Sequence, residues 1–457
     1  MKHYLILAPL LVFLISSIYA GTYLTDNVDC DGFPRIKVET LDGTCMGLIK
    51  QGVPLKRPRA ILPHPDEPGN LFITDMGGWT PGRGSVFFLK KEEAGHYSFY
   101  QILSKLNMPH AIDVGPDGKV YVGESHQIFR IEYSESRTIA RPVITGLPYD
   151  AQNKHPLTHF LFLKPSGDLL VNIGASTDQC LKDARKEKCS DEESVGLRRY
   201  KYLGNGEWDQ TYTMFATGLR NSMALAQHDS GTILQAENNM DFKALNEPHE
   251  ELNIVSEGEF YGWPYCYNYN AYNPAWRSLR SKCETHTKPY TLIPSHSAPL
   301  GMTYYHSEAI PALKDKLLIS LHGYRAVGHR IIAYDVNDQG LPPLQNTAYF
   351  YESPTKAVTT SSNPRRVLYA PTGGFTNTGP KVAQHIEVTP KWYALSGVRP
   401  RGNPVGIAVD SDGALIIADD KNHAILRLAA GQTYKDSSQD GNTPPQKEEK
   451  LYISSDS

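Results

Sequence analysis

The stretch Ala111–Ile131 reads AIDVGPDGKVYVGESHQIFRI. Two short runs, AIDV and KVYV, flank Pro116-Asp117-Gly118, and apolar residues alternate along each run. Proline presets φ for a turn and glycine accepts positive φ, so the segment predicts a tight hairpin. A polar break follows, then a third run, QIFRI. The unit is strand, turn, strand, break, strand.

The same grammar returns in GIAVDSDGALIIADDKNHAILRL, Gly406–Leu428. FLFLKPSGDLLVNIGAS, Phe160–Ser176, and ALAQHDSGTILQAEN, Ala224–Asn238, repeat the hairpin. Ala60–Leu89 and Gly301–Val336 are looser copies. Repeats of this kind indicate a modular fold. Six units between Ala60 and Leu428 leave roughly 60 residues each, enough for four strands and their loops. The expected fold is all-β, a six-bladed β-propeller; an irregular sandwich or barrel fits the shared hairpin grammar less well. Residues 1–20 read as a leader, 21–59 as an N-terminal extension, 60–430 as the propeller and 431–457 as a polar, disordered tail.

Composition agrees. Of 457 residues, 40% are hydrophobic and 21% charged, which suits a large packed core. With 27 Tyr, 37 Gly and 32 Pro the chain favours strands and turns over helical bundles. Lys plus Arg total 46 against 49 Asp plus Glu, so the basic excess of a nucleic-acid binder is missing.

The start, MKHYLILAPLLVFLISSIYA, has a short basic head, an apolar run and small residues up to Ala20. That is the pattern of a secretory signal peptide, its apolar core being short for a bilayer span. The protein is therefore expected to be exported, periplasmic or secreted, with no stable membrane span after cleavage. Six cysteines fit an oxidising compartment, and the simplest pairing joins neighbours: Cys30–Cys45, Cys180–Cys189 and Cys266–Cys283. No CxxC or CxxCH occurs, so neither a thiolate metal site of that type nor covalent haem is indicated.

Propeller loops from different blades meet at the mouth of the central channel, so candidate residues are those flanking the hairpins. P-loop, GxGxxG and GxSxG patterns are missing. In GLRNSMALAQHDSGTILQAENNMD, Gly218–Asp241, Arg220 and Asn221 stand before one hairpin strand. Glu237, Asn238, Asn239 and Asp241 stand after its partner, so both sets belong at one end of one blade. An Arg-Asn pair offers donors to carboxylate or quinone oxygens, and the acid-amide cluster suits calcium; turn and capping roles are the alternative. His155 and His159 precede the hairpin strand of the preceding unit, where a histidine can act as a general base. EELNIVSEGEFYGWPYC is a further acidic candidate for an ion or a blade cap.

These segments, with PHAIDVGPDGKVYVGES, SAPLGMTYY and NPVGIAVDSDGALIIADD, resemble the glucose/sorbosone dehydrogenase family of soluble sugar dehydrogenases. The resemblance spans roughly Ala60–Leu428. It implies a six-bladed propeller that uses pyrroloquinoline quinone (PQQ) and Ca²⁺. His155 then matches the catalytic base and Arg220 the cation beside the reactive quinone carbonyl. Asn221 and Asn238 match cofactor contacts. The carbonyls of Asn239 and Met240 match ligands of the cofactor's calcium, and Glu251 with the carbonyl of Tyr261 matches a second, structural calcium site. Arg399 and Arg401 are candidates for gripping the cofactor carboxylates, with His322 and Arg325 as others. Lys154 stands where glucose-oxidising members carry an acid, which leaves the particular sugar open. The expected partners are a small-molecule sugar and an external electron acceptor. A non-catalytic propeller binding a glycan or protein is the main alternative, and a calcium-dependent lactonase-type hydrolase a weaker one.

Overall fold

The structure, a computed structural model, describes residues 22–92, 96–134, 137–149, 159–184, 186, 188–244, 247–269, 271–323, 327–345, 351–353, 356–357, 382–392 and 401–435. It is a six-bladed β-propeller, and the repeated units lie at the inner part of each blade. Blade 1 comprises Pro58–Pro63, Leu71–Asp75, Gly84–Lys91 and Tyr97–Leu106. Blade 2 is Ala111–Val114, Val120–Glu124, Gln127–Ser134 and Arg137–Thr145. Blade 3 is Phe160–Phe162, Leu169–Ile173, Gly196–Gly204 and Glu207–Thr217. Blade 4 is Ala224–Gln227, Ile233–Glu237, Glu250–Ile254 and Thr291–Ile293. Blade 5 is Pro299–Tyr305, Lys316–Leu321, Arg330–Asp335 and Ile386–Glu387.

Blade 6 closes the ring by combining both ends of the chain. Pro404–Val409, Leu415–Asp419 and Ala424–Ala430 supply three strands, and Thr44–Gln51 pairs along the last from Thr44↔Ala430 to Gln51↔Ala424. Phe33–Ile36 and Thr25–Cys30 extend the same sheet. The stretch expected to precede the propeller is thus woven into it, because a ring of sheets is stable only when its last blade has a partner for its exposed edge.

Core patterning follows from this geometry. The second strands LFITD, VYVGE, LLVNI, ILQAE and LIIAD are buried at every position, since both faces of a blade pack on neighbours. Phe72, Phe88, Val122 and Phe129 fill the gap between blades 1 and 2, and Leu234, Leu252, Leu317 and Ile332 that between blades 4 and 5. At the axis the inner strands surround a channel of about 430 Å³. Glycine is required where those strands crowd together. A Cβ on Gly301 would lie 2.3 Å from the Val405 carbonyl oxygen, and one on Gly406 2.3 Å from that of Arg59.

All three expected disulfides are present: Cys30–Cys45, Cys180–Cys189 and Cys266–Cys283. The first ties the outer N-terminal strands to the closing strand Thr44–Gln51. Replacing both Cys30 and Cys45 with serine should cost about 3 kcal/mol, the worth of a loop of about 15 residues. Urea unfolding would register this as a lower midpoint, and an unchanged midpoint would show that ring closure does not depend on this bond. Among the described residues no helix is long and apolar enough to cross a membrane.

Candidate active site

Each inner strand begins at the same face of the ring, and each second strand ends there. Side chains flanking those two points in different blades therefore converge. Arg57, Arg59, Trp79, Arg220, Asn221, Met223, Asn238, Asn239, Asp241, Glu250, Leu300, His322, Asp420 and Lys421 contribute to the walls of one cleft of about 390 Å³.

Blade 4 builds one side. Glu237, at the end of its strand, accepts the backbone N–H groups of Arg220 (2.5 Å) and Asn221 (3.1 Å) through Oε1. Its Oε2 accepts Gln235 Nε2 at 2.5 Å. Burial pushes the Glu237 pKa up to about 7. The Arg220 guanidinium donates Nη1 to the Asn238 carbonyl (3.0 Å) and Nε to the Asp178 carbonyl (3.2 Å). Its Nη2 lies 3.1 Å from Asp178 Oδ1. Asn221 accepts Asn172 Nδ2 on its side-chain oxygen at 3.2 Å, and Asn238 donates Nδ2 to the Pro299 carbonyl at 2.8 Å. Glu250, at the start of the third strand, accepts the Asn239 N–H at 2.6 Å and the Ala298 N–H at 3.1 Å, and burial pushes its pKa up to about 8.

The opposite side is a chain of charge across blades 2, 1, 6 and 5. Arg59 donates Nη1 to Asp420 Oδ2 at 2.6 Å and Nε to His110 Nε2 at 2.8 Å. His322 Nε2 meets Asp420 Oδ1 at 2.9 Å, and Arg57 adds a second cation 3.7 Å from Asp420. Burial alone would raise the Asp420 pKa, but His322 and Arg59 hold it well below the usual carboxylate range. Because arginine only donates, His110 Nε2 is the acceptor, and burial with the Arg59 charge keeps this histidine neutral.

Of the residues named from sequence, Arg220, Asn221, Asn238, Asn239, Asp241 and His322 meet in the cleft. Met240 lies directly beyond them, its N–H donated to Asn239 Oδ1 at 2.8 Å and its carbonyl accepting the Phe242 N–H at 3.2 Å. Glu251 is buried, with Oε1 accepting Asn239 Nδ2 at 3.1 Å. Tyr261 packs with Leu197, Phe215 and Leu219, and its hydroxyl donates to the Ile254 carbonyl at 2.7 Å. Arg401 is exposed, its carbonyl accepting Asn422 Nδ2 at 2.7 Å, and it does not line the cleft. His155, Lys154, Arg325 and Arg399 lie outside the described residues. His159 stands at the start of blade 3 on the axial channel, where burial lowers its pKa to about 4. Sequence reasoning missed Arg57, Arg59, Trp79, Asp178, Asp420 and Lys421. Among the described residues, the one group of three potential metal ligands drawn from His, Cys, Asp and Glu is Cys180, Cys189 and Asp191, whose sulfurs form a disulfide.

The TrAA12-like family profile matches residues 39–367, from the closing strand through all of blades 1–4 and the first three strands of blade 5. The chain belongs to the TrAA12-like family. A second profile, the NHL repeat, matches residues 402–428, the part of blade 6 contributed by the C-terminal half. Among relatives of this TrAA12-like chain, an uncharacterized protein of Borreliella burgdorferi is 25% identical over 305 residues, 62% of this chain and 73% of the relative. A pyrroloquinoline quinone-dependent pyranose dehydrogenase of Coprinopsis cinerea is 22% identical over 343 residues. That match takes in 65% of this chain and 44% of the relative, so the chain spans less than half of that enzyme's length. Two solved structures share the fold. The calcium structure of the Trichoderma reesei family AA12 enzyme has a TM-score of 0.61 at 19% identity, covering 89% of this chain and all of that one. The holo form of the Coprinopsis cinerea pyranose dehydrogenase PQQ domain also scores 0.61, at 18% identity, over 88% of this chain and all of that one.

Proposed function

We propose that this protein is an exported dehydrogenase that uses pyrroloquinoline quinone and Ca²⁺. It would oxidise an aldose or related sugar or polyol and pass electrons to a separate acceptor. The observation that carries this reading is the convergence of Arg220, Asn221 and Asn238 with Arg57, Arg59 and Lys421 around one cleft. The quinone is planar and carries several carboxylates, so it needs cations and amide donors on more than one side. Four basic side chains line the cleft beside Asp241, Asp420 and a Glu250 that burial holds protonated near neutral pH.

Arg57 and Arg59, with Lys421, would take the carboxylates, with Arg399, which lies outside the described residues, as a further candidate. Arg220 would face the reacting carbonyl, and Asn221 has amide hydrogens to give because its oxygen is already engaged by Asn172. The carbonyls of Asn239 and Met240 suit calcium, a hard cation that prefers oxygen ligands; the Met240 oxygen keeps one lone pair beyond its bond to Phe242. Glu251 and the Tyr261 carbonyl remain the proposed second calcium site. When bound, the quinone supplies the hydride acceptor. His155 would remove the hydroxyl proton from the sugar. The three disulfides support export, and the leader at residues 1–20 would direct it.

The test is His155→Ala in protein reconstituted with quinone and calcium. Turnover should fall about 10²–10⁴-fold while quinone affinity holds, since the affinity contacts lie elsewhere. Wild-type turnover in the variant would remove His155 from the mechanism.

A further inference from the structure

Beside its two charged sides the cleft has an apolar one. Met223 and Leu300, at the starts of two inner strands, line it. Met223 joins Met76 and Met108 in a buried pad, against which Trp79, Tyr149 and Leu300 pack. Trp79 differs from every other tryptophan in the chain. Trp208, Trp263, Trp276 and Trp392 are buried, whereas Trp79 is half-buried and lines the cleft.

The segment MGGWTPGRG that carries Trp79 connects the second and third strands of blade 1. Such a segment could be floppy, but here it is pinned at both ends. Asp75 accepts the N–H groups of Lys56 (2.7 Å), Arg57 (2.9 Å) and Gly77 (2.7 Å). Gly77 has φ +69° and a Cβ there would sit 1.9 Å from the Arg83 carbonyl oxygen, so only glycine lets the two limbs close at the base. Farther along, the Gly82 N–H donates to Asn107 Oδ1 at 2.9 Å. The indole is thus held in advance of any ligand, which reduces the ordering cost of binding to it.

We propose that Trp79 is a specificity-determining residue, the platform on which the ring of a pyranose substrate stacks. This rests on the dehydrogenase reading above. The make-up of the cleft favours the sugar over the cofactor as the partner of this indole. The groups assigned to the quinone are cations and amides: Arg57, Arg59, Arg220, Asn221, Asn238 and Lys421. Trp79 instead offers an apolar ring face beside the methionine pad. A pyranose has an apolar C–H face and a polar rim of hydroxyls. It pairs well with a rigid aromatic face on one side and charged hydrogen-bonding groups on the other.

The test uses quinone- and calcium-loaded protein and the aldopyranose turned over fastest among D-glucose, D-galactose, D-mannose and D-xylose. Trp79→Ala should raise KM roughly 3- to 12-fold, the worth of one aromatic face contact, with kcat changed less than about twofold. Quinone affinity, read by absorbance titration, should be unchanged. Trp79→Tyr, which keeps a ring face, should recover most of the lost KM. An unchanged KM in Trp79→Ala would overturn the proposal. So would a parallel loss of quinone affinity, which would make Trp79 part of the cofactor's shelf. Wild-type protein that takes up no quinone would instead refute the dehydrogenase reading, and this inference with it.

Discussion

Arg220→Ala should lower quinone-dependent dye reduction by about 10²–10³-fold, the loss expected when one preorganised donor to developing negative charge is removed. Quinone affinity should fall as well, unlike in the His155 variant, because the guanidinium is placed to meet the cofactor itself. The structure adds a reason for a large effect. Arg220 ties together the Asn238 carbonyl, the Asp178 carbonyl and the Asp178 carboxylate, so its loss also loosens the neighbouring donors. Arg220→Lys keeps the charge but lacks the planar fork, and should restore little. Dye-reduction rates and absorbance titrations with quinone check both statements. A variant with normal affinity and rate would move the site away from blade 4.

Asp420→Ala should be the most destabilising single change in the cleft. Asp420 and Arg59 have side chains only 1% and 4% exposed, and Asp420 also meets His322 and Arg57. Removing the carboxylate leaves a buried guanidinium without its counter-charge, which costs about 3–5 kcal/mol. Asp420→Asn should lose much of the same stability, since the missing quantity is charge and not volume. Urea unfolding of the two variants checks this, and a midpoint within error of wild type would show that Arg59 finds another partner.

The sign of pH dependence follows from the same residue. Its folded pKa is depressed below the unfolded value, so its contribution is present above about pH 4 and is lost as acid takes the pH down towards the folded pKa.

The inner hairpins were legible because alternation, turn chemistry and repetition agree within each short stretch. PDG in blade 2 and SDG in blade 6 mark the same bend. The closing strand was not legible. TCMGLIKQ follows the turn at Asp42-Gly43 and pairs with Phe33–Ile36, but its partner within blade 6, Ala424–Ala430, lies at the far end of the chain. In the site, Arg220, Asn221 and Asn238 could be found because one blade brings both halves of the motif together. Arg57, Arg59 and Asp420 could not be seen as a set, because three groups from two blades look in sequence like ordinary surface charges. A positional rule would have found them. Arg57 and Arg59 stand at the start of an inner strand, as Arg220 does, and Asp420 follows a second strand, as Asn238 does. Trp79 carries a weaker signal, a lone aromatic residue among glycines.

The central claim is that the cleft between Arg220 and Arg59 holds pyrroloquinoline quinone. Its most direct test is an absorbance titration of the purified protein with that quinone in the presence of calcium. The account predicts saturable uptake of one quinone per chain, with the bound quinone's spectrum changing on addition of sugar. Failure to bind the quinone at any calcium concentration would contradict it.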